Sequence, residues 1–334
     1  MRETVLAGDV GGTRTRLARA TVTDGDLVRL DDVAVYPSDA HSSLAALIRD
    51  YLSSRGFSPR RAAVGVAGPV VDGRCVATNI PWIVDERDVK EASKAEAAFL
   101  LNDLEIMANG IAALSREDLV TLSPGRRDPR GNAALLAAGT GLGEALLFFD
   151  GKRLVPSACE GGHTDFGPRS PDEAALLACL AARHGHVSYE RIVSGPGLEA
   201  IYEFLSERDR RPGVKEPEAL AAARREKRLS AAVSEQALNG LDPVAVAALD
   251  VFVSAYGAEA SNLALKGMAT GGVYVGGGIA PKILPKLTDG SFLRAFRDKG
   301  RLTPVVEAMP VHVIVNERTS LLGAARYAVS GRLR

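Results

Sequence analysis

Cysteine is scarce. Cys75, Cys159 and Cys179 are the only three in 334 residues, and no CxxC pair occurs. An odd count without that spacing supports neither a disulfide framework nor a cysteine zinc site. Charge is not in excess either, since Lys+Arg and Asp+Glu both number 41. That balance lacks the basic surplus expected of a nucleic-acid or anionic-membrane binder. No apolar run approaches the ~18 residues that span a bilayer, and no apolar signal-peptide core precedes the first strand. GxxxxGK[ST] is absent, which excludes a P-loop NTPase, as is the His-Arg-Asp catalytic loop of protein kinases. No basic helix-turn-helix stands ahead of the first strand. The expectation is a cytoplasmic protein that binds neither nucleic acid nor membrane.

What is present reads as an α/β chain. Hydrophobic residues at 46% and charged ones at 25% can fill sizeable cores, and the length suits two lobes better than one. The first ordered stretch carries Asp9-Val10-Gly11-Gly12-Thr13 between two apolar segments. That predicts a β-hairpin whose tight turn bears an acid, two glycines and a hydroxyl. Glycine permits positive φ and lets main-chain N–H groups approach a ligand. Such groups beside Thr13 suit a polyphosphate, and Asp9 suits the Mg2+ that accompanies one. Alone, the stretch reads as an ordinary glycine hairpin turn.

A third strand through 34–36 and an amphipathic helix near 42–55 follow. Residues 62–67 form a buried-strand run, and 76–82 end on the single tryptophan, Trp82. Asn79 suits a sugar hydroxyl there, and the indole suits either a sugar ring or the core. Residues 97–101 predict a strand delivering Asn102 and Asp103 at its carboxyl end, before a helix from Leu104. Asn102 with Glu105 makes a capping-box pattern, while ligands of open α/β sheets sit where Asp103 would project.

The Pro/Gly/Arg-rich stretch 123–131 is the candidate lobe boundary. Beyond it a strand leads into Gly139-Thr140-Gly141-Leu142-Gly143 and a further strand. The device of the opening is thus repeated, which predicts a duplicated architecture gripping a phosphate chain between two lobes. In Glu160-Gly161-Gly162-His163 the glycines sharpen the turn, so Glu160 and His163 can converge on one small ligand. A Glu/His pair is also half a metal site, for which His41, His184, His186 and His312 give no second half. Helices are predicted near 172–184, 197–208, 216–239 and 244–265. A strand then breaks into Gly276-Gly277-Gly278, where a flat base or a phosphate can lie close to the backbone. A last strand, 311–315, precedes a helix over 318–328 that closes back on the first lobe.

Taken together, these motifs resemble the bacterial glucokinase family, of the hexokinase branch of the actin-like ATPase superfamily. Asp9–Thr13 resembles its first phosphate motif, Gly139–Gly143 the second and Gly276–Ile279 the adenosine motif. Leu101–Glu105 resembles the turn with the catalytic aspartate. Glu160–His163 with Asp165-Phe166 resembles the sugar-binding loop, and Ser188–Arg191 with Ser194–Gly197 resembles a further sugar contact. The missing cysteine cluster separates the chain from the zinc-binding ROK branch. Arg14 departs from the pattern, where asparagine or lysine is commoner, and would add positive charge near the phosphates.

The resemblance implies an α/β fold of two ribonuclease-H-like (actin-like ATPase) lobes with a cleft between them. The small lobe would take residues 1–115 and be completed by the C-terminal helix, 317–334; the large lobe would take 116–316. It implies transfer of the γ-phosphoryl of MgATP to the 6-hydroxyl of D-glucose, feeding glycolysis, by a homodimer. Asp103 would be the general base. Asn79, Asn102, Asp103, Glu160, His163 and Glu190 would hold glucose. Asp9 would hold Mg2+ through water, and Gly11, Gly12, Thr13, Gly139, Thr140, Gly141, Gly276, Gly277 and Gly278 would bind ATP. Rival readings are a kinase for another hexose, a non-catalytic sugar-sensing regulator, and an actin- or chaperone-like ATPase that binds no sugar.

Overall fold

A computed structural model describes residues 2–24, 27–76, 82–209 and 215–331. The chain divides into two compact units. Unit 1 comprises 1–118, 155–158 and 316–334, and unit 2 comprises 119–154 and 159–315.

Unit 1 is built on a five-stranded sheet, ordered β3-β2-β1-β4-β8. Its strands are β1 (Arg2–Val10), β2 (Arg14–Thr23), β3 (Leu27–Pro37), β4 (Arg61–Val66) and β8 (Ala97–Asn102), with β5 (Val70–Val71), β6 (Arg74–Val76) and β7 (Ile83–Asp85) in a small sheet of their own. β1, β2 and β3 pair antiparallel, while β4 and β8 add in parallel. Side chains alternate across the pleat. Leu6 and Val10 join Leu17, Val64 and helix α1 (Leu44–Arg55) in one core. Val5 and Ala7 join Ala18, Ala63 and the C-terminal helix Thr319–Ser330 in another. The register of β2 and β3 slips after Arg19. There the buried Tyr51 hydroxyl accepts from Arg19 N–H at 2.7 Å and donates to the Asp32 carbonyl at 2.9 Å. Trp82 belongs to the α1 core, its Nε1 donating to the His41 carbonyl at 3.1 Å, so the indole packs rather than faces a sugar.

Helix α2 (Glu86–Ser93) and helix α3 (Asp103–Gly110) complete the unit. α3 meets the C-terminal helix through glycine. A Cβ on Gly110 would overlap the Thr319 carbonyl, and one on Gly323 would overlap the Ile106 carbonyl.

Unit 2 carries a six-stranded sheet, ordered β12-β11-β10-β13-β14-β9, in whose edge strand β12 residues 155–158 are the ones that belong to unit 1. The strands are β9 (Leu119–Ser123), β10 (Ala133–Ala138), β11 (Leu142–Phe149), β12 (Leu154–Cys159), β13 (Gly272–Gly276) and β14 (Val311–Ile314). β10 pairs antiparallel with β11 and parallel with β13, as β1 does with β2 and β4. The order of the first unit is therefore repeated, with β9 added at the edge, and the expected duplication is present. Helices Pro171–His184, Gly195–Asp209, Glu218–Arg225, Leu229–Leu238 and Pro243–Gly267 pack on it.

Two expectations need correcting. The helix predicted over 216–239 is broken at Glu226–Arg228, where Lys227 turns left-handed at φ 56°. Arg228 N–H donates to the Ala223 carbonyl at 2.9 Å, so the helix ends in a C-terminal cap formed within a run of charged residues. The helix Pro243–Gly267 is, at 25 residues, long and apolar enough to cross a membrane, although no such run was expected. Two-thirds of its apolar window (67%) is buried in unit 2, so that composition serves the core.

Candidate active site

In unit 1 the turn between β1 and β2 is closed by Gly11 N–H donating to the Arg14 carbonyl at 3.0 Å. Ser38, buried beyond β3, ties down the Gly11 and Thr13 carbonyls of the turn. Its Oγ donates to Gly11 at 2.7 Å and its N–H donates to Thr13 at 3.0 Å. Among the described residues, the N–H groups of Gly12 and Thr13 have no protein partner. A turn with two carbonyls held from behind and two donors open presents positive charge to an anion. Neither Gly11 nor Gly12 has positive φ. The glycine requirement there is steric, since a Cβ on Gly11 would sit 3.2 Å from the Arg14 carbonyl. Asp9 lies on the strand just before the turn, its Oδ2 accepting from Arg16 Nη1 at 3.1 Å. Burial pushes its carboxyl above the usual range against the pull of that guanidinium.

Asn102 and Asp103 stand at the carboxyl end of β8. Asn102 is the N-cap of α3, accepting from Leu104 N–H at 2.8 Å and donating Nδ2 to the Gly68 carbonyl at 3.0 Å. Its cap bond runs to Leu104 rather than to Glu105. Asp103 occupies the first helical position, half-buried, and its Oδ1 accepts from Leu104 N–H at 2.9 Å. Its charge adds to burial in raising the Cys75 thiol. Asn79 lies outside the described residues.

In unit 2 the second glycine turn is held more tightly. Gly139 N–H donates to the Gly141 carbonyl at 2.8 Å, and the Gly139 carbonyl accepts from Gly195 N–H at 2.8 Å. The helix Gly195–Asp209 therefore starts on the turn. Glu190 Oε2 accepts from Leu142 N–H at 3.0 Å, and a Cβ on Gly141 would overlap that same oxygen. Ser194 Oγ donates to the Glu190 carbonyl at 2.7 Å and accepts from Gly197 N–H at 3.0 Å. Thr140 and Gly141 keep N–H groups without a protein partner among the described residues.

The acid–histidine loop forms a single 3-10 turn, Gly161–His163, after β12. A Cβ on Gly161 would overlap Glu144 Oε2, and one on Gly162 would overlap the Leu142 carbonyl. Both glycines are there because the turn lies directly on β11. The loop is zipped to the segment carrying Glu190. Phe166 N–H donates to Val187 at 2.9 Å, Tyr189 N–H donates to Thr164 at 3.0 Å, and the Phe166 and Tyr189 rings meet edge-on at 5.4 Å. The structure so brings the loop of Glu160 and His163 beside Glu190. The side chains of Glu160 and His163 are exposed and unpartnered among the described residues.

Gly277 alone among the predicted site glycines has positive φ, at 84°. A Cβ there would overlap the Ala138 carbonyl, so the turn after β13 lies against the end of β10. Gly276 and Gly278 flank this contact. Tyr256, fully buried, joins the same two strand ends by donating to the Gly276 carbonyl and accepting from Ala138 N–H, both at 3.3 Å. Sequence reading missed Tyr256 and Ser38. Each acts across a long sequence separation, and neither sits in a motif.

An acid beside a glycine turn in one half, and a repeated glycine turn with the Glu160–His163 loop in the other, match the pattern of a nucleotide-dependent sugar kinase of the two-lobe actin-like ATPase fold. Comparison with known proteins agrees. Residues 6–330 match the glucokinase family. A glucokinase from Synechocystis sp. is 40% identical over 342 residues, covering 96% of each chain. One from Nostoc sp. is 38% identical over 335 residues, covering 96% of this chain and 97% of its own. The crystal structure of a glucokinase from an Antarctic psychrotroph superposes with a TM-score of 0.85 at 29% identity, covering 98% of this chain and 99% of that one. The chain belongs to the glucokinase family, whose members are ATP-dependent hexose kinases.

Proposed function

We propose that this chain transfers the γ-phosphoryl group of MgATP to the 6-hydroxyl of glucose, giving glucose 6-phosphate and ADP. The observation that carries this reading is the placement of Asp103 at the carboxyl end of β8, on the first turn of α3, beside the capping Asn102. Asp103 takes the proton of the attacking hydroxyl. Phosphoryl transfer asks mainly for positioning and charge stabilisation, and the proton leaves late, so a carboxylate suffices as base.

The N–H groups of Gly12, Thr13, Thr140 and Gly141 donate to phosphate oxygens, while Gly11 and Gly139 shape their turns. Gly276, Gly277 and Gly278 accept the adenosine. Asn79, Asn102, Asp103, Glu160, His163 and Glu190 bind sugar hydroxyls, and a sugar lacking one leaves a polar group unpaired.

Among the described residues no group of three acid, histidine or cysteine side chains could cage a metal. Mg2+ usually takes one or two carboxylates, with waters and phosphates supplying the rest. Asp9 fits that pattern, since its buried carboxyl is held above its usual range and a cation nearby would favour the charged form. Bound there, Mg2+ would neutralise developing phosphate charge.

Sugar-dependent ADP release from MgATP, across glucose, mannose, fructose, galactose and N-acetylglucosamine, tests the reading. Turnover largely confined to glucose supports it. Faster turnover on another sugar moves the substrate, and no turnover from folded protein that binds ATP rejects catalysis.

A further inference from the structure

Beneath the Gly161–His163 turn lies a pair of acids to which the motifs assign no role. Glu144 on β11 is buried, and Glu259, within the helix Pro243–Gly267, is completely so. With both ionised, neither Glu144 oxygen has a partner, and neither has Glu259 Oε1. Two facing carboxyls are satisfied only when one keeps its proton and donates it to the other.

The neighbours decide which one. Glu259 Oε2 accepts from Asn262 Nδ2 at 2.8 Å, Lys266 Nζ stands 4.0 Å from Oε1, and Lys299 Nζ donates to Asn262 Oδ1 at 2.8 Å. The anion therefore belongs on Glu259. Glu144 is faced by Glu259, Tyr256 and, more weakly, Lys266 from that helix, and by Cys159 and the Gly161 backbone from the chain after it. Burial first, and then the Glu259 charge, push its carboxyl up to about 8.

This pair supports the loop from both ends. Gly161 rests on Glu144 with no room for a Cβ, and Cys159 Sγ donates to the Glu144 carbonyl at 3.5 Å. On the other side, Asn262 Nδ2 also donates to the Tyr189 hydroxyl at 3.1 Å, next to Glu190.

We propose that Glu144, as the neutral member of a proton-sharing pair with Glu259, is a positioning residue that sets the seat of the Glu160–His163 turn and so governs sugar affinity. The sugar part of this statement rests on the function proposed above. Loss of the shared proton to solvent leaves two buried anions side by side directly under the turn, and their repulsion displaces it. Sugar binding then weakens on the alkaline side, while Asp103 and the phosphate turns keep their geometry.

The test compares the full chain with Glu144→Gln and Glu144→Ala from about pH 6 to about pH 9.5. Glutamine keeps the shape and can donate to Glu259, but it holds no titratable proton. In the wild type, KM for glucose is expected to rise roughly fivefold or more through the alkaline range, with KM for ATP unmoved. Glu144→Gln removes that rise and restores the affinity that Glu144→Ala loses. Amide hydrogen exchange over 159–167, corrected for intrinsic rate, gives a second readout that needs no turnover. Protection should fall above about pH 8 in the wild type and hold in Glu144→Gln. An identical pH profile in these two proteins, in either measurement, overturns the proposal. Should the chain phosphorylate no sugar, the exchange measurement alone decides the positioning claim.

Discussion

Glu190 Oε2 accepts the Leu142 main-chain N–H at 3.0 Å, so a side chain assigned to the sugar also fixes the second glycine turn. Glu190→Ala leaves a buried N–H without a partner, at a cost of about 1–3 kcal/mol. Its KM should rise for ATP as well as for glucose. Glu190→Gln keeps an oxygen for Leu142 and should raise KM for glucose alone. Steady-state kinetics in both substrates check this, and an unmoved ATP KM in the alanine variant breaks the link.

Ser38 holds the Gly11 and Thr13 carbonyls of the first turn. Ser38→Ala removes the hydroxyl bond to Gly11, worth about 1 kcal/mol, and loosens the donors of Gly12 and Thr13. The expected outcome is a several-fold rise in KM for ATP with glucose KM unchanged. An equal rise in both would show general unfolding rather than a local role.

Gly161→Ala forces a methyl onto Glu144. Overpacking of this kind costs about 1–3 kcal/mol, and the strain falls on the sugar loop. Glucose affinity should drop while circular dichroism remains that of the wild type. Unchanged affinity would mean that the turn relaxes freely.

Asp103→Asn keeps the N-terminal turn of α3, because Asn102 is the cap. It should lower kcat roughly 10²–10⁴-fold with glucose binding retained by calorimetry. Near-normal turnover removes Asp103 from its role.

Stability should depend on pH through Glu144. Its carboxyl ionises near its ordinary value in the unfolded chain but holds its proton up to about 8 when folded. The folded state thus binds more protons between those limits. Its contribution is complete below the unfolded value and is lost as pH rises to about 8. Glu144→Gln should gain several degrees in Tm relative to the wild type at high pH and little in acid. A constant difference across pH would contradict this.

The glycine hairpins, the strand before Asn102 and the long buried helix were legible because each is a local pattern with a definite period or turn chemistry. Asn102 as a helix cap was readable for the same reason. The role of glycine was only half visible. Positive φ was expected of the phosphate turns, yet of the site glycines Gly277 alone uses it, and Gly141, Gly161 and Gly162 are small because something packs on them. Such contacts join residues far apart in sequence, as do Ser38 with Gly11 and Tyr256 with Gly276. Glu144 belongs to no motif, and its partner Glu259 lies on a helix far along the chain. The break at Lys227 escaped because no glycine or proline marks it, only a run of charged residues between two helix-forming stretches.

The helix Thr319–Ser330 fills the face of a sheet whose strands are all encoded before residue 118. On the ribosome, then, the first strands made must wait, one face bare, while the whole of 119–315 emerges. The later unit can finish folding before the earlier one. A nascent chain stalled short of residue 319 would display Val5, Ala7, Ala18 and Ala63 to chaperones, and the emergence of that helix is what covers them.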